Sequence, residues 1–182
     1  MLTPDEFDAY GHRLNLSTVA RALMQIIRTS PPSRRVHSAA GNVSVRYPSR
    51  KMGVTIQAES HKNELAGIYA MEFDPGTLEY YDQPPAIKLK YVAKNGKPVG
   101  VLHTPDFFVL RTTAAGWEEW KMESELVRLS HVMPNRYCLD AAGHWRCPPG
   151  ETYAALFGLF YRLRSSAEVN WILQRNLRFL YG

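Results

Sequence analysis

The sequence predicts a mixed α/β (α+β) domain built on one central β-sheet flanked by helices. Three observations carry this. Apolar residues recur at helical spacing near both ends of the chain, for example Val19, Leu23, Ile26 and Ile27, and Val169, Ile172, Leu173 and Leu177. Between residues 77 and 122 several short β-branched and aromatic segments follow one another with turn residues between them. One of those turns holds Asn95-Gly96, the dipeptide that favours a tight hairpin. Helix, then contiguous strands, then helix indicates a sheet covered by helices.

Taken in order, Thr3-Pro4-Asp5-Glu6 reads as a capping box with proline at the first helical position. Gly11 is expected to end that helix, and Asn15 or Ser17 to cap a second one that Ser30-Pro31-Pro32-Ser33 stops. Residues 1–32 thus form an N-terminal helical segment and 33–182 the main part of a single compact domain. A helix is predicted over 59–72, ended by Asp74-Pro75-Gly76, and strands over 77–81, 87–93, 99–103, 106–111 and 117–122. A helix over 123–129 and a small hairpin around 140–143 follow. Residues 153–161 are apolar without a clear period, so strand and helix both remain open. A closing helix is predicted over 164–180, with Ser165 or Ser166 as its cap.

Composition sets limits on function. The chain has 182 residues, with 22 Lys and Arg against 17 Asp and Glu, a formal charge of +5. The two cysteines, Cys138 and Cys147, exclude a disulfide-rich secreted scaffold. No apolar run reaches the roughly 20 residues that span a bilayer, and the acidic first residues lack a secretory h-region, so a cytoplasmic protein without a membrane partner is expected. The positive charge is concentrated. Arg34, Arg35, His37, Arg46, Arg50 and Lys51 occur with no acidic residue before Glu59. A solvated basic arm would read this way, and so would a surface that contacts phosphates. We expect the second for Arg34, Arg35, Arg46, Arg50, Lys51 and Lys62, together with Lys88 and Lys90, because an anionic partner relieves their mutual repulsion.

The residues that carry chemistry are Thr104-Pro105-Asp106 and Glu119-Trp120-Lys121. On a strand Glu119 and Lys121 share one face, Glu118 and Trp120 the other. Antiparallel pairing through the 112–116 turn would bring Asp106 to Glu119 and Lys121 at one end of the sheet. Neighbouring carboxylates repel, and a divalent cation relieves that by binding their oxygens. Lys121 could then orient a water bound to it. Glu64, on the preceding helix, is a third carboxylate, with Glu59 as its rival. Such an assembly suits phosphodiester hydrolysis, in which negative charge grows on oxygens bound to phosphorus.

At these residues the chain resembles the restriction-endonuclease-like superfamily, written PD-(D/E)xK. More narrowly it is similar to TnsA, the endonuclease subunit of heteromeric bacterial transposases. The similarity lies in Ser60-His61-Lys62-Asn63-Glu64-Leu65 running into Met71-Glu72-Phe73-Asp74, in Tyr80-Tyr81-Asp82-Gln83-Pro84, in Thr104-Pro105-Asp106-Phe107-Phe108-Val109, and in Glu119-Trp120-Lys121. The tail from Tyr161 to Tyr181 agrees with the family's closing strand and helix. The resemblance covers about Arg34 to the end, so it implies a TnsA-like nuclease domain over 33–182, which also occurs fused to a TnsB-type transposase.

That resemblance implies a restriction-endonuclease-like fold and a Mg²⁺-dependent DNA endonuclease, with Mn²⁺ as a substitute. Asp106, Glu119 and Glu64 would bind metal and Lys121 would position the attacking water. The implied reaction cuts one strand, on the 5′ side, at each transposon end, in the bacterial nucleoid. The implied partners are the double-stranded transposon ends, a TnsB-type transposase and a TnsC-type ATPase. Some family members carry Gln where this chain has Glu119. The alternatives are a stand-alone restriction or repair nuclease, and a catalytically silent DNA-binding module of the same fold.

Other candidates have plainer readings. Glu72 is expected as a surface residue at a helix end. His61 and His103 are expected to be structural or solvated, His103 with reach to a phosphate. Cys138, His144 and Cys147 have part of a zinc spacing but no fourth ligand, and in a hairpin the two cysteines would simply face each other. Trp117, Trp120, Trp145 and Trp171 are expected in the core.

Overall fold

The computed structural model describes residues 1–33, 45–58 and 63–181. Arg34, Arg35, His37, Glu59, His61 and Lys62 lie outside them. The chain opens with helix α1 (Pro4–Arg13), whose N-terminus is closed by the predicted Thr3/Glu6 capping box. Gly11 does not end this helix. It lies inside, buried, where a Cβ would meet the Arg21 side chain at 2.4 Å, so its smallness allows close approach to helix α2 (Thr18–Thr29). Ser17 caps α2 through Ala20 N–H. Arg28 on α2 then reaches the fully buried Glu79 at 2.9 Å and also donates to the Leu2 carbonyl, which fastens both N-terminal helices to the sheet.

The central sheet has four strands in the order β10–β7–β6–β3, formed by β3 (Thr77–Asp82), β6 (Phe107–Arg111), β7 (Ala115–Lys121) and β10 (Phe160–Ser165). β6 pairs antiparallel with β3 and β7, and β10 runs parallel to β7. β6 is apolar without alternation because both its faces are covered. Phe108 and Leu110 pack with α1, α2, Trp117, Tyr161 and Leu163, whereas Phe107 and Val109 pack with Trp120, Tyr80 and helix α3 (Asn63–Phe73). The predicted turn at 112–116 is shorter in the structure, since Ala115 and Gly116 already belong to β7. Gly116 faces Phe160 in the parallel pair, and a Cβ there would lie 2.0 Å from the Phe160 carbonyl oxygen.

Among the described residues, three two-stranded units accompany this sheet. β1 (Val45–Pro48) and β2 (Thr55–Ala58) form an antiparallel hairpin beside α3. β4 (Ile87–Val92) and β5 (Pro98–His103) form the hairpin that Asn95-Gly96 predicts, with Gly96 at φ 80°. β8 (Cys138–Leu139) pairs with β9 (Trp145–Arg146), but Cys138 faces Arg146, so the cysteines are not opposed. Cys147 instead sits buried at the N-cap of helix α5 (Pro148–Ala155).

The ambiguous 153–161 stretch resolves into the end of α5, a turn through Gly158 (φ 67°) and the start of β10. The single closing helix predicted over 164–180 is divided. β10 continues to Ser165, which caps one 3₁₀ turn (Ser166–Glu168), and helix α6 spans Trp171–Tyr181. Helix α4 (Glu123–Val132) links β7 to the β8–β9 hairpin. Three of the four tryptophans are buried, whereas Trp171 is half exposed at the start of α6. No helix among the described residues is long and apolar enough to cross a membrane.

Candidate active site

The β6–β7 pairing that the sequence suggests does form, and it brings the acidic and basic residues together. Asp106 immediately precedes β6, and its Oδ2 accepts the Trp120 N–H at 2.7 Å. That bond locks the carboxylate against the strand that presents Glu119 and Lys121. As alternation requires, Trp120 and Glu118 point to the other face. Trp120 packs against α3, and Glu118 is buried in an ion pair with Arg111 at 2.6 Å. Gly67 of α3 lets that helix approach, since a Cβ there would come within 2.8 Å of the Trp120 ring. Glu64, one residue into α3, is thereby held close enough for its charge to act on Asp106.

Electrostatics separate the carboxylates. Crowding of the Asp106 carboxyl by protein, then the charges of Glu64 and Glu119, push its pKa well up, against the Trp120 N–H and Lys121. Burial would also raise Glu119. It is outweighed by the hydrogen bond from His103, the charge of Lys121 and the hydrogen bond from Tyr161, so Glu119 stays ionised. Burial would lower Lys121, yet Glu119 and Asp106 raise it, so it is an ammonium at neutral pH.

Glu119 is the most heavily partnered side chain here and only 1% exposed. Its Oε1 lies 3.0 Å from Lys121 Nζ and 3.4 Å from the Tyr137 hydroxyl. Its Oε2 accepts from Tyr161 at 2.5 Å and lies 3.2 Å from His103 Nε2. Arg136 lies 3.2 Å from His103 Nδ1. A guanidinium only donates, so Nδ1 is the acceptor and the ring proton sits on Nε2, facing Glu119. His103 is therefore part of the site's framework. Its residue type is visible in the sequence, but the partners that give it a role, Arg136, Tyr137 and Tyr161, come from distant segments. Only Tyr161 lies in a stretch that the resemblance marks.

Hard carboxylate oxygens suit Mg²⁺ or Mn²⁺, and the mutual repulsion that raises Asp106 is what a cation at Asp106 and Glu64 would relieve. For Glu119 to ligate directly it would have to exchange partners, because both its oxygens are engaged. Among the described residues no group of three or more His, Cys, Asp or Glu is disposed as a ready-made metal cage.

The basic residues divide. Arg46 and Arg50 are exposed on and beside the β1–β2 hairpin. Lys51 is not presented to solvent as a phosphate contact: its ammonium donates to the carbonyls of Met71, Asp74 and Thr77 at 2.8, 2.6 and 2.8 Å, closing the end of α3. Glu72 is likewise no surface residue. It accepts from the Ser49 and Tyr80 hydroxyls and from the Arg50 and Lys51 N–H groups, tying α3 to β3 and the β1–β2 turn. Compared with known proteins, the chain matches no family model, and no curated protein matches it significantly.

Proposed function

We propose that this protein is a divalent-metal-dependent DNA endonuclease of the PD-(D/E)xK type, acting like TnsA on one strand at transposon ends. The observation that supports it most is the convergence of Asp106, Glu119 and Lys121 across the β6–β7 pair, with the Glu64 charge acting on Asp106. Ordinary surface strands do not bury a carboxylate, pair it with a lysine, and hold a second, protonation-prone carboxylate beside it.

Asp106 and Glu64 would hold Mg²⁺ or Mn²⁺, with Glu119 joining if it exchanges a partner. The ion would supply Lewis-acid stabilisation of charge on the phosphate. Lys121, kept protonated by Glu119, cannot take a proton from water. It can orient the water or donate to a phosphate oxygen as negative charge develops there. Glu119 positions Lys121, and Tyr161 and His103 position Glu119.

The test is nicking of supercoiled plasmid carrying transposon ends, with Mg²⁺, in the presence and absence of a TnsB-type transposase and a TnsC-type ATPase. Single-strand cleavage that requires the transposase and disappears in Asp106→Ala and Lys121→Ala supports the reading. Cutting of any plasmid by the protein alone would assign a stand-alone nuclease. Retained nicking by Asp106→Ala would overturn the assignment of the site.

A further inference from the structure

We infer that the outer face of the β4–β5 hairpin is a docking surface for the major groove of double-stranded DNA; the choice of occupant rests on the nuclease reading. Between Asp82 and Asp106 the chain carries four lysines and no acidic residue. The hairpin folds these into a ribbon. Ile87 and Leu89 are buried on its inner face, and Lys88 and Lys90 stand exposed on the other.

Register decides what accompanies them. Lys88 faces Leu102 and Lys90 faces Gly100. Leu102 is 73% exposed, and Val92, on the same face, is 51% exposed. Gly100 has no side chain, so the Lys88 stem lies flat across the partner strand. The result is a smooth two-stranded surface with cations along it and apolar side chains between them. A two-stranded ribbon fits the B-DNA major groove, where lysines can reach the phosphates that line it and apolar side chains meet the thymine methyl.

The ribbon is braced rather than loose. Lys94 Nζ donates to the His131 carbonyl at 3.3 Å, Asn135 Nδ2 donates to the Val92 carbonyl at 2.8 Å, and α5 packs along β4. Its base is the candidate active site, because β5 ends at His103, which contacts Glu119. A duplex seated on the ribbon would thus be held by the element that leads into the carboxylates. An anionic membrane surface would also attract lysines, but nothing about that base would then be used.

Binding of a labelled 20-base-pair duplex is measured by fluorescence anisotropy in EDTA, so that cleavage plays no part. The Lys88→Ala/Lys90→Ala double variant should bind at least tenfold more weakly. The slope of log affinity against log salt should be shallower by about two, as expected when two phosphates are no longer neutralised. Removing equal charge elsewhere, in Arg13→Ala/Arg175→Ala, should change neither. Methyl green, a major-groove ligand, should compete, and netropsin, a minor-groove ligand, should not. Unchanged affinity and slope in the lysine variant would overturn the proposal, as would competition by netropsin alone or a lysine-dependent preference for phosphatidylserine vesicles over duplex. A separate nicking assay in Mg²⁺ keeps the two claims apart. If the native protein, supplied with the transposase and the ATPase, cuts nothing, the nuclease reading fails while the lysine dependence of binding in EDTA stands on its own.

Discussion

Asp106 accepts the backbone N–H of Trp120, fourteen residues away, at 2.7 Å, so the strand pairing itself holds the carboxylate beside Glu119 and Lys121. The arrangement costs stability. Glu64 and Glu119 repel Asp106, and its pKa is well above the ordinary aspartate value. A carboxyl whose folded pKa is raised binds its proton more tightly when folded, so its unfavourable contribution grows as pH rises through the range between its unfolded and folded values and is fully present above the latter.

Asp106→Asn keeps an oxygen for the Trp120 N–H and removes the charge. It should raise Tm at pH 7 and abolish nicking, a gain of stability with loss of function. Thermal melts at pH 7 and pH 4 check the sign: the gain should shrink at the lower pH.

The same repulsion offers a way to test the proposed metal binding without catalysis. Mg²⁺ or Mn²⁺ bound only by the folded state should raise the Tm of the native protein in proportion to the logarithm of metal concentration. Asp106→Asn should lose most of that response. An equal response in both proteins would remove Asp106 from the metal site.

Glu119 behaves in the opposite sense. Its folded pKa is held below the ordinary value, so its contribution is present above about pH 4 and lost as pH falls further. Glu119→Gln should therefore lower Tm at pH 7, leaving Lys121 without its nearest counter-charge, and the difference from native should narrow progressively below about pH 4.

Lys51 tests whether a basic residue serves the fold or the nucleic acid. Lys51→Met removes three charge-assisted bonds at the end of α3 and should cost about 2–3 kcal/mol in urea unfolding. The salt dependence of DNA binding should not change. Arg28→Met, which leaves Glu79 buried with the Leu2 N–H and the Tyr81 hydroxyl but no counter-charge, should cost about 3–5 kcal/mol.

Gly116→Ala addresses the parallel β7–β10 pair. A Cβ would lie 2.0 Å from the Phe160 carbonyl oxygen, which is backbone and cannot rotate away. A loss of at least about 2 kcal/mol is expected, and hydrogen exchange should show it first at β10, the strand that brings Tyr161 to Glu119.

By itself the sequence determined the local signals: the Thr3/Glu6 box, a cap for the second helix at Asn15 or Ser17, the Asn95-Gly96 hairpin, and the alternation that sets Glu119 and Lys121 on one face. These depend on neighbours a few residues apart, so spacing suffices to read them. Gly11, Lys51 and Glu72 depart from their sequence expectations for one shared reason. Each expectation comes from the residue's own segment, whereas its role comes from a partner elsewhere, respectively Arg21, the end of α3 and the β1–β2 turn. The division of the predicted closing helix between β10, a 3₁₀ turn and α6 has a similar cause, since parallel pairing to β7 outweighs helical periodicity. Tertiary structure alone gathered Arg136, Tyr137, Tyr161 and His103 around Glu119. A buried carboxylate must be satisfied by whatever donors the fold brings within about 3 Å, and sequence spacing carries no record of which strands become neighbours.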